Sequence, residues 1–321
     1  MLRRLFTTRN LVILLLIIAL FVVSGLLGLR VVMPEVSIAA EPIFHIGSFP
    51  VTNSLLTAWI AMLILIVLAY FATRDIPRDL EAASNQELVP GGLLNAAEML
   101  IEGFYGLVRS VGGAWAPRFF PIVMTIFLFV ITSNWLGLVP GFGSIGLLEH
   151  PHNPDTTGYI ARGAILTAER ASEGHEGYVL VPFFRAPSTD LNFTLALALV
   201  SVALSQYFGV RALHLGYLRR FINFGGFKHS LVIGIAELFT GVLELVAEFA
   251  KIVSFSFRLF GNIFAGEVLL GVVAFLIPYI ASVPFYGLEV FVGFIQAVVF
   301  MMLSLVFFAS ATAGHGGEGH S

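Results

Sequence analysis

The sequence predicts an all-α, polytopic membrane protein with about six membrane helices and one amphipathic helix at the interface. Three observations carry that reading. First, 58% of the 321 residues are hydrophobic and only 12% are charged, and the mean hydropathy is +0.93, more apolar than a water-soluble core can absorb. Second, the apolar residues gather in runs of about twenty, the length that crosses roughly 30 Å of hydrocarbon. Third, one long apolar stretch, Glu237–Glu267, contains Glu237, Glu244, Glu248, Lys251, Arg258 and Glu267. A charge at the bilayer centre costs about 2.5–3.5 kcal/mol, so each of these groups needs protein, water or an opposite charge beside it.

The same composition excludes other classes. A formal charge of −3 and a pI near 6.2 give no basic footprint for a nucleic-acid partner. Cysteine is absent, which rules out a disulfide framework and cysteine metal ligands. No Gly-rich loop ending in Lys is present to cradle a nucleotide phosphate. Neither a cofactor nor a metal is predicted.

Arg3, Arg4 and Arg9 precede the first apolar run, Leu11–Leu29. Residues 1–33 are either a retained membrane anchor or a signal peptide, since Ser37 and Ala39 suit a cleavage site. A short polar link, 34–51, with Glu35, Glu41 and His45, leads to a second span over Val51–Ala72. Arg74, Asp75, Arg78, Asp79, Glu81 and Glu87 then mark a solvated loop. From Pro90 to Gly112, Leu93, Leu94, Ala97, Leu100, Ile101, Phe104, Tyr105 and Val108 recur at helical spacing opposite Asn95, Glu98, Glu102 and Arg109. That pattern is an amphipathic interface helix, too polar to cross.

A third span, Phe119–Val139, carries Asn134 and stops at Pro140 and the glycines beyond it. The outer loop 141–187 holds His150, His152, Asp155, Glu169, Glu173, His175 and Glu176, without the fixed spacing of a metal-ligand set. It reads as a solvated loop. The fourth span, to about Val210, opens at Thr189 or Asp190, either of which can cap it. Asp190, Thr194, Ser201 and Ser205 share one face, as interhelical hydrogen bonders or as a hydrated wall. A basic loop, Arg211–Lys228, precedes the hairpin 229–312, whose last span, Pro284–Ala311, places Glu289 and Gln296 on one face. The tail, with His315 and His320, is expected to be disordered. Glu244, Lys251 and Arg258, seven apart, form one stripe bordered by Glu248, readable as an ion-pair ladder between helices or as the wall of an ion pathway.

With the N-terminus inside, the inner loops hold Arg3, Arg4, Arg9, Arg74, Arg78, Arg109, Arg211, Arg219, Arg220 and Lys228. The outer loops hold mainly Arg162, Arg170 and Arg185, as the positive-inside rule requires.

At SFSFRLFGNIFAGE the chain resembles subunit a of the rotary F-type ATP synthases: Arg258-Leu259-Phe260-Gly261-Asn262 followed by Ala265-Gly266-Glu267 is similar to that family's signature. The likeness extends through residues 50–71, the interface helix, SNWLGLVPGFG, PSTDLNFTLALAL and IQAVVFMMLSLVF. Residues 34–321 then form one subunit a domain. The first span and much of 141–187 look unlike the family core, and Gly137 stands where the family sometimes has an acidic residue. The resemblance implies a long, strongly tilted C-terminal hairpin curved around a ring of subunit c. It also implies a stalk subunit b, the rest of the synthase and the lipid bilayer as partners, in a bacterial inner membrane. It implies a non-catalytic subunit that conducts protons to and from ring carboxylates. Arg258 is then the obligatory ring-facing cation. Glu267 and Glu289 serve outer access, Asn262 and Gln296 lie near Arg258, Asp190 belongs to the pathway, and Glu244 lines the exit with support from Glu248 and Lys251. Two other classes stand beside it: a proton-pumping antiporter-like subunit of a respiratory complex, for which no internal repeat is found, and a structural membrane protein whose charges merely pair.

Overall fold

The computed structural model describes residues 37–74, 92–139, 141–149, 158–162, 165–169, 179–214, 216–217, 221, 230–276 and 282–313. The first span, the polar stretch 75–90, several of the loop histidines and carboxylates (His150, His152, Asp155, Glu173, His175 and Glu176), the basic residues Arg219, Arg220 and Lys228, and the tail lie outside the described residues. Among the described residues the helices are α1 (Asn53–Thr73), α2 (Gly92–Gly112), α3 (Ala116–Gly137), α4 (Leu191–Leu213), α5 (Leu231–Leu276) and α6 (Ser282–Thr312). Five helical stretches are long and apolar enough to cross a membrane, one of them running from Asn95 through α3. Of the helices, α1, α3, α4 and α6 begin and end within about three residues of the second, third, fourth and last expected spans, whereas α5 extends beyond the stretch Glu237–Glu267 at both ends.

Local chemistry sets the helix starts. Thr52 caps α1, its hydroxyl accepting from the Leu55 N–H at 3.3 Å, and Asp190 caps α4, accepting from the Asn192 N–H at 2.9 Å. The helix α2 is amphipathic as its pattern requires. Phe104 and Val108 turn inward, with the Phe104 ring 4.5 Å from that of Phe127, while Met99, Glu98 and Glu102 stay exposed.

The loops are less plain than expected. The link 34–51 contains an antiparallel hairpin, β1 (Pro42–Ile46) with β2 (Phe49–Thr52), because Ile43, Phe44, Ile46, Phe49 and Val51 favour extended backbone and Gly47 supplies the positive φ of 65° that the tight turn needs. The outer loop carries two further ribbons, β3 (Gly146–Glu149) with β6 (Val179–Pro182) and β4 (Gly158–Arg162) with β5 (Ile165–Glu169). The solvated-loop reading missed them because charged residues flank short β-branched and aromatic runs there. The chain is therefore helical within the membrane segments, with small strands outside them.

Packing centres on α3 and α6, joined by α4 and by one strip of α5. Phe119, Phe127 and Val130 of α3, Ala198 and Phe208 of α4, Phe255, Leu259 and Ile263 of α5, and Ala297, Phe300, Met301, Leu305 and Phe308 of α6 form the buried cluster. Phe255 and Phe300 stack with ring centroids 3.7 Å apart. Hydroxyls bridge the helices: Thr194 with Ser256 at 3.0 Å, Ser201 with Ser304 at 3.0 Å, and Ser205 donating to the Phe307 carbonyl at 3.0 Å. The shared polar face of α4 is thus a set of interhelical hydrogen bonds. With 46 residues, α5 is about 69 Å long at 1.5 Å per residue, more than twice the hydrocarbon thickness of roughly 30 Å.

These contacts rank differently in energy. Phe300→Ala should destabilise the purified protein by about 3–5 kcal/mol, whereas Ser304→Ala should cost roughly 0.6 kcal/mol, the scale of a membrane side-chain hydrogen bond. Denaturant titration in detergent micelles checks the order, and equal losses would refute it.

Candidate functional site

The middle of α5 has two unlike faces. Phe255, Ser256, Leu259, Ile263 and Gly266 are buried toward α4 and α6, while Val253, Phe257, Arg258, Asn262 and Ala265 are exposed. Arg258 and Asn262, one helical turn apart, stand on the open face beside Phe257, itself 53% exposed. Among the described residues no hydrogen bond or ion pair engages Arg258. Gln296 is half-buried on α6 and likewise makes no hydrogen bond among the described residues.

Two helical turns before Arg258, the charges pair within α5 rather than as an ion-pair ladder between two helices. Lys251 Nζ donates to Glu248 Oε1 at 2.7 Å, Gln206 Nε2 donates to Glu248 Oε2 at 3.0 Å, and the Tyr217 hydroxyl donates to Gln206 Oε1 at 2.6 Å. Glu248 is 9% exposed and Lys251 also lies 5.6 Å from the Phe307 ring centroid. This cluster ties α4 and the turn after it to α5. Gly209 makes room for it, since a Cβ there would overlap the Tyr217 ring. Glu244, half-buried one turn before, has partners of its own.

At the opposite end of α5, Glu289 of α6 is 6% exposed, and its carboxyl lies against Gly266 of α5, where any Cβ would overlap it. One turn further along α6, Gly293 faces Asn134 of α3, whose Nδ2 donates to the Gly293 carbonyl at 3.1 Å, while Trp135 Nε1 donates to the Val290 carbonyl at 3.1 Å. Several buried polar atoms here have no protein partner among the described residues: Asn134 Oδ1, Ser133 Oγ, Ser188 Oγ and Ser282 Oγ. Such atoms are ordinarily met by water. Glu289 also makes no hydrogen bond or ion pair among the described residues.

Glu267 is placed differently. Arg185, 8% exposed and lying just before α4, donates from Nε to Glu267 Oε1 and Oε2 at 3.2 and 3.3 Å and from a terminal nitrogen to Oε2 at 3.2 Å. Its remaining donors reach the Ser37 carbonyl at 2.7 Å and the Ala39 carbonyl at 3.2 Å. Sequence reasoning counted Arg185 only as a basic residue of the outer loop. The signal that could have found it is a lone arginine inside the apolar run Val181–Pro187, on the side where basic residues are sparse.

Asp190, expected on the pathway, has both oxygens occupied: Oδ1 caps α4 and Oδ2 accepts from the Ser54 hydroxyl at 2.8 Å, fixing the start of α1. At Gly137 there is no room even for a Cβ, which would overlap that of Ala186. An acidic side chain could not stand there without moving the strand of chain that carries Arg185. Among the described residues no group of three or more His, Asp or Glu gathers as metal ligands.

Comparison with known proteins adds a family to this geometry. A family described as ATP synthase A chain matches residues 55–309. Similar curated proteins are the ATP synthase subunit a of Moorella thermoacetica, 29% identical over 85% of this chain and 96% of the relative. Those of Syntrophobacter fumaroxidans, 28% identical over 89% and 92%, and of Campylobacter jejuni, 30% identical over 86% and 91%, are similar too.

The cap and clamp at Asp190 predict a stability effect. Asp190→Ala should destabilise the protein by about 1 kcal/mol or more, and Asp190→Asn by a fraction of that, since the amide oxygen still accepts from the Asn192 N–H while the amide nitrogen donates to the Ser54 hydroxyl. Thermal unfolding in detergent reads the difference, and an indifferent Asp190→Ala would count against the clamp.

Proposed function

The chain belongs to the ATP synthase A chain family, and from that premise we propose that it is the proton-conducting stator subunit of a rotary F-type ATP synthase. As a member of the family it is a multi-pass, non-catalytic membrane subunit of that complex. The observation that most supports the finer reading is Arg258: a guanidinium on the exposed apolar face of a membrane helix, with no hydrogen bond or ion pair among the described residues. Left alone in lipid it would cost several kcal/mol, so the face must meet an anion, and none of the described residues supplies one. A ring of subunit c, each copy carrying a membrane carboxyl, fits that requirement.

The steps follow from the chemistry of the groups. A protonated ring carboxyl is neutral and travels through lipid. On reaching Arg258 it is more stable ionised, because the guanidinium keeps its proton and its charge. The released proton leaves by the inner side, past Glu244 with Glu248 and Lys251. A proton from the outer side, received through Glu289 with Glu267 in its wall, neutralises the carboxylate again and frees it to move on. Asn262 and Gln296 flank Arg258, and the unpartnered Asn134 Oδ1 and Ser133 Oγ offer water a foothold near Glu289. A proton crossing 100 mV yields about 2.3 kcal/mol, so several must pass for each ATP formed in the soluble headpiece.

The length of α5 suits this role. A 46-residue apolar helix stays within roughly 30 Å of hydrocarbon only if inclined by about 65° from the membrane normal. So inclined, it presents a long flank to a curved ring. The positive-inside pattern supports a bacterial inner membrane with the N-terminus cytoplasmic when the first helix is retained, and subunit b of the stalk is proposed as a further partner.

Arg258→Ala should abolish ATP-driven acidification of vesicles carrying the assembled complex, and full pumping by that variant would refute the mechanism. Gly266→Ala should displace the Glu289 carboxyl, the flexible end of a side chain, rather than unseat the helix, and slow acidification about tenfold or more with normal assembly. Unchanged pumping by Gly266→Ala would remove Glu289 from the path.

A further inference from the structure

Two carboxyl groups stand on the outer side of the α5–α6 pair, and the structure treats them in opposite ways. Glu289 is buried and makes no hydrogen bond or ion pair among the described residues, and it faces a glycine. Glu267 has both oxygens taken by the Arg185 guanidinium. Arg185 in turn is 8% exposed, and every nitrogen of its side chain is engaged, by Glu267 or by the Ser37 and Ala39 carbonyls. Its backbone N–H also donates to Thr57 Oγ1 at 3.2 Å, which pins the segment to α1, and its guanidinium lies 6.0 Å from the Phe264 ring centroid.

We propose that Arg185 is a positioning residue that holds Glu267 as a fixed counter-charge, so that Glu267 shapes the outer access path without carrying the transported proton. This rests on the stator reading above and divides its two outer carboxyls into one that exchanges protons, Glu289, and one that does not. A Glu267 that took up a proton on each cycle would each time leave a buried guanidinium without its anion, and the carbonyls of Ser37 and Ala39 cannot supply a charge. The forked geometry opposes such cycling, because two parallel N–H to oxygen bonds must break together. The pair also anchors three separate pieces of chain at one point: the segment 37–39, the approach to α4, and the middle of α5.

The test uses neutral replacements in the assembled complex in membrane vesicles, with the amount of complex measured alongside ATP-driven acidification. Made singly, Glu267→Gln strands the buried Arg185 guanidinium and Arg185→Gln releases the Glu267 carboxylate from its fixed position, and each should lower pumping on the order of tenfold or more. Together they leave no charge and no titratable group at the site. The double variant should pump several-fold faster than either single variant while staying below the parent rate. If it assembles normally and pumps no better than Glu267→Gln alone, Glu267 carries the proton and the proposal is wrong. A second readout does not depend on the double variant. A lipid-soluble carbodiimide attacks carboxyls in their protonated form, so peptide mass spectrometry should find Glu267 unmodified in the parent complex and modified in Arg185→Gln. Modification of Glu267 in the parent would overturn the proposal. Failure of the underlying stator reading would show separately, as pumping that survives Arg258→Ala.

Discussion

Within a bilayer a polar group has no bulk water to fall back on, and that single constraint sorts the ionisable residues of this chain into two sets. Glu248 with Lys251, Glu267 with Arg185, and Asp190 with Ser54 are satisfied by the chain itself. Each joins separate elements: α5 to α4 through Gln206, α5 to the approach of α4 through Arg185, and α4 to α1. Arg258 and Glu289 have no hydrogen bond or ion pair among the described residues. Under the proposed function those two are the groups left for transport, and hydrogen-bond satisfaction then separates scaffold from pathway more sharply than charge or position along the chain.

Small residues make the arrangement possible. Gly266 lets the Glu289 carboxyl press against α5, Gly293 lets Asn134 reach the α6 backbone, and Gly209 admits the Tyr217 ring that completes the Glu248 cluster. At Gly266 and Gly209 a methyl group would occupy the space that a polar side chain now uses, and at Gly293 it would press on the Asn134 Cβ at 3.3 Å. The helices pack closely where they carry polar groups and use large aromatics, Phe255 on Phe300 and Phe119 on Phe308, where they do not.

Much of this was legible in the sequence, for definite reasons. Membrane helices announce themselves by length and hydropathy, so α1, α3, α4 and α6 fall close to their expected bounds, and α2 follows from its 3.6-residue period. The one-turn spacing of Glu248 and Lys251 foretold their ion pair, and the opposite facing of Arg258 and Glu267 follows from 100° per residue. What periodicity cannot supply is the partner in another element. Arg185 stands 82 residues from Glu267, and Gln206 stands 42 from Glu248, so no local pattern joins them. The strands of the outer loop were hidden for a related reason: β3, ending at Glu149, pairs with β6, starting at Val179, between runs too far apart and too short to show a period of two.

Arg258 stands on the exposed face of α5, whereas Glu289 lies against the buried face at Gly266, eight residues further along. On that buried face Phe255, Leu259 and Ile263 pack into the main cluster with Phe300 and Met301. That layer is apolar and closely filled. In the mechanism proposed above, a proton arriving at Glu289 leaves the chain, rides on a ring carboxyl past the exposed face of α5, and returns beyond Arg258. The permanent charge of the guanidinium would then bar that carboxyl from slipping past still protonated, and the apolar strip would bar a shortcut through the chain. On this reading coupling needs both barriers, because removing either would let protons cross without turning anything.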